Sequence, residues 1–343
     1  MGRLTEAVLE SVPLALYQRI FRRPCIGINY HMVSDGSLSH VEHVLKYKTA
    51  AMFDEDVAYL RENFELISYR DVVARSGAAE RPRPRTPITL TFDDGYSQCY
   101  SVARPILLRH GAPCTFFIIT DSVDNEFLPY ANKASLCIAR VRELLDTGGE
   151  DPLSVVSQTV GTDFDTVEDF ARWMRPLYTS DTPNIDRICD VLKIDSDAFL
   201  NDHRPFMTSA EIRQLVADGF TVGAHTRRHP YLSNLADERT IEDEIVQSCE
   251  YVRDLTGQPS VPFAFPFSAG QLDRAFLERI RRENDCVGYM FDMRGLTIDR
   301  PFIVNRIGGD SLDAVSVEES NLPHLMRRAY KGYLRRTIWR QNR

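Results

Sequence analysis

The chain has 343 residues, enough for one large α/β domain or two ordinary ones, and its 43% hydrophobic and 26% charged residues are those of a globular protein. Net charge is −8; residues 321–343 hold seven Lys/Arg and no Asp/Glu, so the other 320 residues carry −15, which argues against a nucleic-acid-binding protein. No run of about 18 apolar residues occurs, which excludes a membrane-spanning helix.

Residues 1–23, MGRLTEAVLESVPLALYQRIFRR, read as an N-terminal amphipathic helix. Glu6 and Glu10 interrupt its apolar stretch and no small-residue cleavage site follows, so a cytoplasmic protein without a signal peptide is expected. Seven widely scattered cysteines with no CxxC fit reduced thiols better than a disulfide framework. From residue 25 onward short β-rich runs recur: 25–31, 88–92, 114–119, 221–226, 261–267 and 287–291. Helical periodicity marks 50–64, 101–111, 209–220 and 237–257, with Gly111 and Gly257 placed as helix stops. Such alternation predicts a parallel sheet, open or closed as a barrel, with its chemistry at the C-terminal ends of the strands. A Pro/Arg linker, AERPRPRTP, occupies 79–87. Residues 121–206 break the alternation and read as an inserted helical subdomain, because strand-like runs resume on both sides. The last segment, 321–343, interleaves apolar and basic residues. Two readings stay open for it: a basic amphipathic helix at a membrane surface, or a helix packed on the domain with a solvated basic face.

Candidate site residues come from two places. In LTFDDGYS (90–97) an apolar run ends on Asp93 and Asp94. Two close carboxylates repel unless a cation lies beside them; the bland alternative is a turn in which an Asp caps the next helix and Gly95 takes a positive φ. In GAHTRRHPYLS (223–233), His225 and His229 stand four apart after a β-like run, a spacing from which one turn or tight loop can reach one metal. An Asp with two His and an open position is the layout of a catalytic metal site.

These residues resemble the polysaccharide deacetylases (carbohydrate esterase family 4, the NodB-homology domain), whose motifs are TFDDG and H(S/T)xxH. Here they read Thr91-Phe92-Asp93-Asp94-Gly95 and His225-Thr226-Arg227-Arg228-His229. FAFPFSAG (263–270) resembles the family's Pro-Tyr-Gly segment, and the likeness spans roughly 24–120 and 205–308. The resemblance implies a distorted (β/α) barrel over 24–320 that carries the helical insertion. It implies Asp93 as general base and Asp94, His225 and His229 as ligands of a divalent metal, zinc in most members. The backbone N–H of Phe267, after Pro266, would take the place of the family's oxyanion donor. The family's Arg-x-Pro-Pro arginine is missing, since the chain reads Ala264-Phe265-Pro266, and Arg306 is the candidate to replace it. No convincing late Leu-x-His motif is present; His324 is a poor match. Tyr30-His31 looks like the permuted order of the poly-N-acetylglucosamine deacetylases and makes His31 the candidate acid. His40, His43, His110 and His203 lack motif support, and the 40–43 stretch reads as a solvated loop. The implied function is removal of an N-acetyl group from an amino sugar. A lipid-linked sugar at the inner membrane surface becomes the substrate if the tail lies on lipid. Hydrolysis of another amide, such as a formamide or cyclic imide, and a non-catalytic carbohydrate-binding role are the alternatives.

Overall fold

The computed structural model describes residues 13–20, 25–75, 85–148, 151–177, 182–310 and 322–341. Eight parallel strands form its sheet: β1 (Ile26–Tyr30), β2 (Glu65–Leu66), β3 (Pro87–Phe92), β4 (Cys114–Ile118), β5 (Thr221–Ala224), β6 (Val261–Ala264), β7 (Val287–Asp292) and β8 (Ile303–Gly308). Strand β1 pairs with β8 on one side and with β3 on the other, which closes seven strands into a barrel. The two-residue β2 stays outside the ring. It pairs with Pro87 and Ile88 of β3, below the point where β4 joins at Leu90. Helices surround the ring, so β1, β3 and β4 are covered on both faces and are buried along their whole length. The barrel is distorted where β5 meets β6, a contact of one registered pair, Ala224 with Phe263, next to a register shift in β6.

The helices between strands form where the period predicts them, Ala50–Asn63, Arg104–His110, Ser209–Ala217 and Glu238–Thr256. Gly111 and Gly257 end two of them in the left-handed region, at φ 59° and 70°. All seven cysteines are free thiols. Two strands were not apparent in the sequence, the short β2 and the ring-closing β8.

Between β4 and β5 the chain folds helices Tyr130–Thr147, Pro152–Val160, Val167–Met174, Thr182–Val191 and Ser196–His203. The apolar faces of the first four build a core apart from the barrel's, with Ile138, Val156, Phe170, Met174 and Ile188 fully buried in it, while Leu200 of the fifth joins the barrel's core. The C-terminal helix, Leu322–Gln341, drives Leu322, Leu325, Met326 and Tyr330 inward, and Tyr330 stacks on Tyr17 of helix Leu14–Ile20 at 5.7 Å. Tyr333 and Leu334 also pack on the main core, while Arg327 and Arg328 face solvent. That stretch of the apolar face is therefore covered by the domain. The side chains of Ile338 and Trp339, residues 1–12 and 21–24, and the linker up to residue 84 lie outside the described residues.

One close approach inside the barrel bears on the site. A Cβ on Gly27 of β1 would lie 2.4 Å from Cγ of Arg306, its neighbour on β8. Only glycine lets the arginine stem pass. We expect Gly27→Ala to destabilise the fold by about 1–3 kcal/mol in urea unfolding, as overpacked cores do. Gly332→Ala, where a Cβ meets nothing within 4 Å in the C-terminal helix, should stabilise by about 0.5–1 kcal/mol. Equal stabilities for the two would contradict this packing.

Candidate active site

Strand β3 stops at Phe92, and Asp93 and Asp94 follow at the rim of the barrel. The Asp93 N–H still bonds the Tyr30 carbonyl at 2.9 Å. At Asp94 the chain turns, with φ 72°, and Gly95 follows at 79°. Asp tolerates this region better than most residues, and a Cβ on Gly95 would press on Ile118 at 3.1 Å. The turn brings both carboxylates to one side of the rim. Neither caps the next helical segment, whose Gln98 cap has no side-chain bond.

The two aspartates, 2% and 8% exposed, sit in opposite surroundings. Asp93 accepts from three side-chain donors and keeps acceptor capacity on Oδ1. Arg306 forks onto it, Nη1 to Oδ1 at 2.7 Å and Nη2 to Oδ2 at 2.8 Å, and the Asn29 amide donates to Oδ2 at 3.0 Å. Burial raises its pKa, but Arg306 and His225 outweigh that and hold it below the usual carboxylate value. The guanidinium is itself fixed by Asn29 Oδ1 and Thr91 Oγ1, at 2.9 and 3.1 Å, and lies 5.4 Å from the Phe117 ring. Asp94 Oδ1, by contrast, is buried and makes no hydrogen bond. Nε2 of His225 and Nε2 of His229 each stand 3.4 Å from it.

The histidines come from the loop after β5. His225 passes its N–H to the Ile118 carbonyl at 2.9 Å, and its ring Nδ1 lies 2.8 Å from the Ala264 carbonyl at the end of β6. A carbonyl only accepts, so Nδ1 carries a proton, and Nε2 is the ring nitrogen that faces Asp94. Positive φ at Thr226 (63°) and His229 (61°) folds the loop back, so a tight loop and not a helical turn aligns the pair. The Arg227 N–H on Glu244 at 2.9 Å and Arg228 on Asp121 at 2.8 Å anchor the loop from outside. Burial lowers the His229 pKa to about 4, so its imidazole is neutral at pH 7, the form that ligates metal. A carboxylate oxygen without a hydrogen bond facing two imidazole nitrogens, all within 4.8 Å of one another, suits one divalent cation.

His31 follows β1 at the same rim, and its Nδ1 lies 2.6 Å from Oδ2 of Asp310. Burial would lower its pKa, but the bond to Asp310 and the aspartate charges nearby prevail and raise it to about 9. Beyond β6, Pro266 is buried and Phe267, at φ 59°, sets its half-exposed ring 5.2 Å from His229 and 5.4 Å from Tyr231. Asp292, at the end of β7, holds this loop by accepting from the Ala269 N–H at 3.0 Å. His40 is not solvated: it is buried, 6.0 Å from the Tyr96 ring and 5.5 Å from Phe199. His324 is exposed on the C-terminal helix. Sequence reading missed Asn29, Asp292 and Asp310. Of these only Asn29 had a signal, a lone polar residue inside an apolar run.

The polysaccharide deacetylase family model matches residues 80–160 and 156–283, more than half of the chain. The chain belongs to the polysaccharide deacetylase family. Membership supports a deacetylase, an enzyme acting on an amide, and implies an N-acetylated sugar as substrate. The matched span holds both aspartates, both histidines and Phe267, and leaves His31, Arg306 and Asp310 outside it. No curated protein matches the chain. Solved structures of similar fold include the Streptococcus pyogenes deacetylase PplD in complex with acetate, 18% identical, with a TM-score of 0.54 over 88% of this chain and 97% of that one. IcaB from Ammonifex degensii is 17% identical, with a TM-score of 0.52 over 89% and 97%. A de-N-acetylase from Aggregatibacter actinomycetemcomitans is 12% identical, with a TM-score of 0.50 over 88% and 99%.

Removing the Arg306 fork leaves the Asp93 carboxylate buried without its cation. We expect Arg306→Met to cost about 3–5 kcal/mol in urea unfolding, the usual penalty for breaking a buried pair from one side. A loss below about 1 kcal/mol would show that Asp93 does not need the arginine.

Proposed function

We propose that the protein is a metal-dependent N-deacetylase that removes an acetyl group from the amide of an amino sugar. The observation that carries this is the division of labour between neighbouring carboxylates: Asp93 held by the Arg306 fork, Asp94 Oδ1 without a hydrogen bond before two histidine nitrogens. Asp94, His225 and His229 would hold the cation, with zinc the first choice for an N₂O donor set. Such a cation supplies a Lewis acid that polarises the amide carbonyl and acidifies a water beside it.

The rest is work for this chain's own groups. Asp93, kept ionised by Arg306, takes one proton from the attacking water as its oxygen bonds to the carbonyl carbon. The N–H of Phe267, held at its turn by the Asp292-anchored loop, is assigned to the developing oxyanion. His31, protonated through Asp310, gives its proton to the nitrogen as the C–N bond breaks. Acetate and the free amine leave; Asp93 loses its proton and His31 regains one.

Two outcomes check this. With zinc present, Asp93→Asn should lower acetate release from N-acetylated oligosaccharides or nucleotide- and lipid-linked sugars by about 10²–10⁴-fold, the contribution of a general base. Retained turnover would remove Asp93 from the mechanism. The acid must be protonated, so the rate should fall as pH rises through about 9. In Asp310→Asn the bond and charge of Asp310, which raise the His31 pKa most, are gone, while burial, which lowers it, remains; the basic limb of the pH–rate profile should then move to lower pH. An unmoved limb would assign it to a group other than His31.

A further inference from the structure

The core of the inserted unit brings two thiols into contact. Cys137 lies on helix Tyr130–Thr147 and Cys189 on helix Thr182–Val191, and their sulfurs stand 3.5 Å apart. A polar rung lies on each side of them. One turn earlier on both helices the Lys133 ammonium meets Asp186 Oδ1 at 2.8 Å, and one turn later Arg140 Nε donates to the Leu192 carbonyl at 3.5 Å. Positions 133, 137 and 140 share one helix face, as do 186 and 189 on the other helix. The rungs thus hold the register that sets sulfur against sulfur. The two cysteines differ in their surroundings. Cys137 is fully buried, whereas Cys189 forms part of the wall of an open cavity of about 550 Å³ that Lys133, Asp186 and Lys193 also line. The Cys137 S–H, donating to Cys189, and the Lys133 charge hold the Cys189 thiol below its usual range, against burial, which raises it. The same bond and burial push Cys137 up. Helix Tyr130–Thr147 also docks the unit on the barrel: the Asn132 amide donates to the His40 carbonyl and the Tyr96 hydroxyl, each at 3.0 Å, and the Tyr130 ring lies 6.4 Å from that of His229.

We propose that Cys137 and Cys189 are a peroxide-sensitive pair that oxidises to a disulfide within the folded insertion. The Cys189 thiolate, reached through the cavity, attacks one oxygen of hydrogen peroxide. An S–O bond forms as the O–O bond breaks, and the departing hydroxide takes up the proton that Cys189 released and leaves as water. The Cys137 sulfur then attacks the sulfenic sulfur. The S–S bond forms, and the sulfenic hydroxyl leaves with the Cys137 thiol proton as a second water. Two thiols lose two electrons and two protons, and the peroxide is reduced to water. A disulfide places its sulfurs about 2.0 Å apart, so the step asks for a short approach of two side chains that already meet. The bond ties together positions 52 apart in the chain, one of them on the helix that docks the insertion. The proposal stands apart from the reading of the metal site.

The test exposes the full, folded chain to hydrogen peroxide, alkylates the remaining thiols in urea and maps the peptides by mass spectrometry. We expect five of the seven thiols to remain, and one peptide pair, joined through Cys137 and Cys189, to appear two hydrogens lighter and to separate again in dithiothreitol. Cys189 should react at least about tenfold faster than Cys99 and Cys249, which are fully buried and whose thiols burial pushes well up. In Cys137→Ser, Cys189 should stop at the sulfenic acid and take up dimedone. In Cys189→Ser, Cys137 should stay a thiol. Seven alkylatable thiols after exposure overturn the proposal, as does a Cys137–Cys189 bond that forms only when the oxidation is run in urea, or a bond that joins other cysteines instead. Loss of the Cys137 thiol in Cys189→Ser at the wild-type rate overturns the assignment of Cys189 as the residue oxidised first. If a variant does not fold, the wild-type peptide map and the rates of Cys189, Cys99 and Cys249 decide alone.

Discussion

Two carboxylates adjacent in sequence are buried together at the end of β3, and most of the site follows from keeping both ionised. Like charges about 4 Å apart repel by about 4 kcal/mol at an effective dielectric of 20. Burial adds to the cost, and without compensation one of the pair would take up a proton. The protein solves the two halves differently. Asp93 receives a fixed organic cation, the Arg306 fork, and gains orientation with it. Asp94 keeps one oxygen without a hydrogen bond, facing the two histidine nitrogens, and its pKa is held below the usual carboxylate value although burial raises it.

That solution reaches down into the barrel. Arg306 arises in the middle of β8 and runs along the interior, over Phe117 and beside the gap at Gly27, to reach the rim. Asn29 and Thr91, buried polar residues on neighbouring strands, fix its guanidinium. Closing the ring through β1–β8 is therefore also what delivers the arginine to Asp93. The ring closure and the ionised state of Asp93 are therefore linked. The rim receives the rest: His31 from β1, the paired histidines from β5, Phe267 from β6 and Asp310 from β8.

Much of this was legible in the residues. Six of the eight strands stood out as apolar β-branched and aromatic runs, because strands covered on both faces need them. Strand β8 did not, since its centre carries Asn305 and Arg306; the polar residues that make it functional hide its period. The aspartates and histidines were legible as motifs, but the contrast between Asp93 and Asp94 was not. It depends on a left-handed turn and on partners more than 60 positions away. Asp310 could not be read for the same reason, because its role exists only where β8 returns beside β1. The insertion was legible as helical, and its contacts with Tyr96, His40 and His229 were not, since no periodicity encodes contacts across 36 to 99 residues.

One divalent cation is proposed for Asp94, His225 and His229, with Asp93 held by arginine. The most direct measurement is an anomalous difference map at the zinc edge from crystals grown with zinc. A single peak is expected about 2.0–2.2 Å from one Asp94 oxygen and from Nε2 of both histidines, with the Arg306 fork on Asp93 intact. A peak bridging both aspartates with Arg306 displaced, or no peak among these three residues, would contradict it.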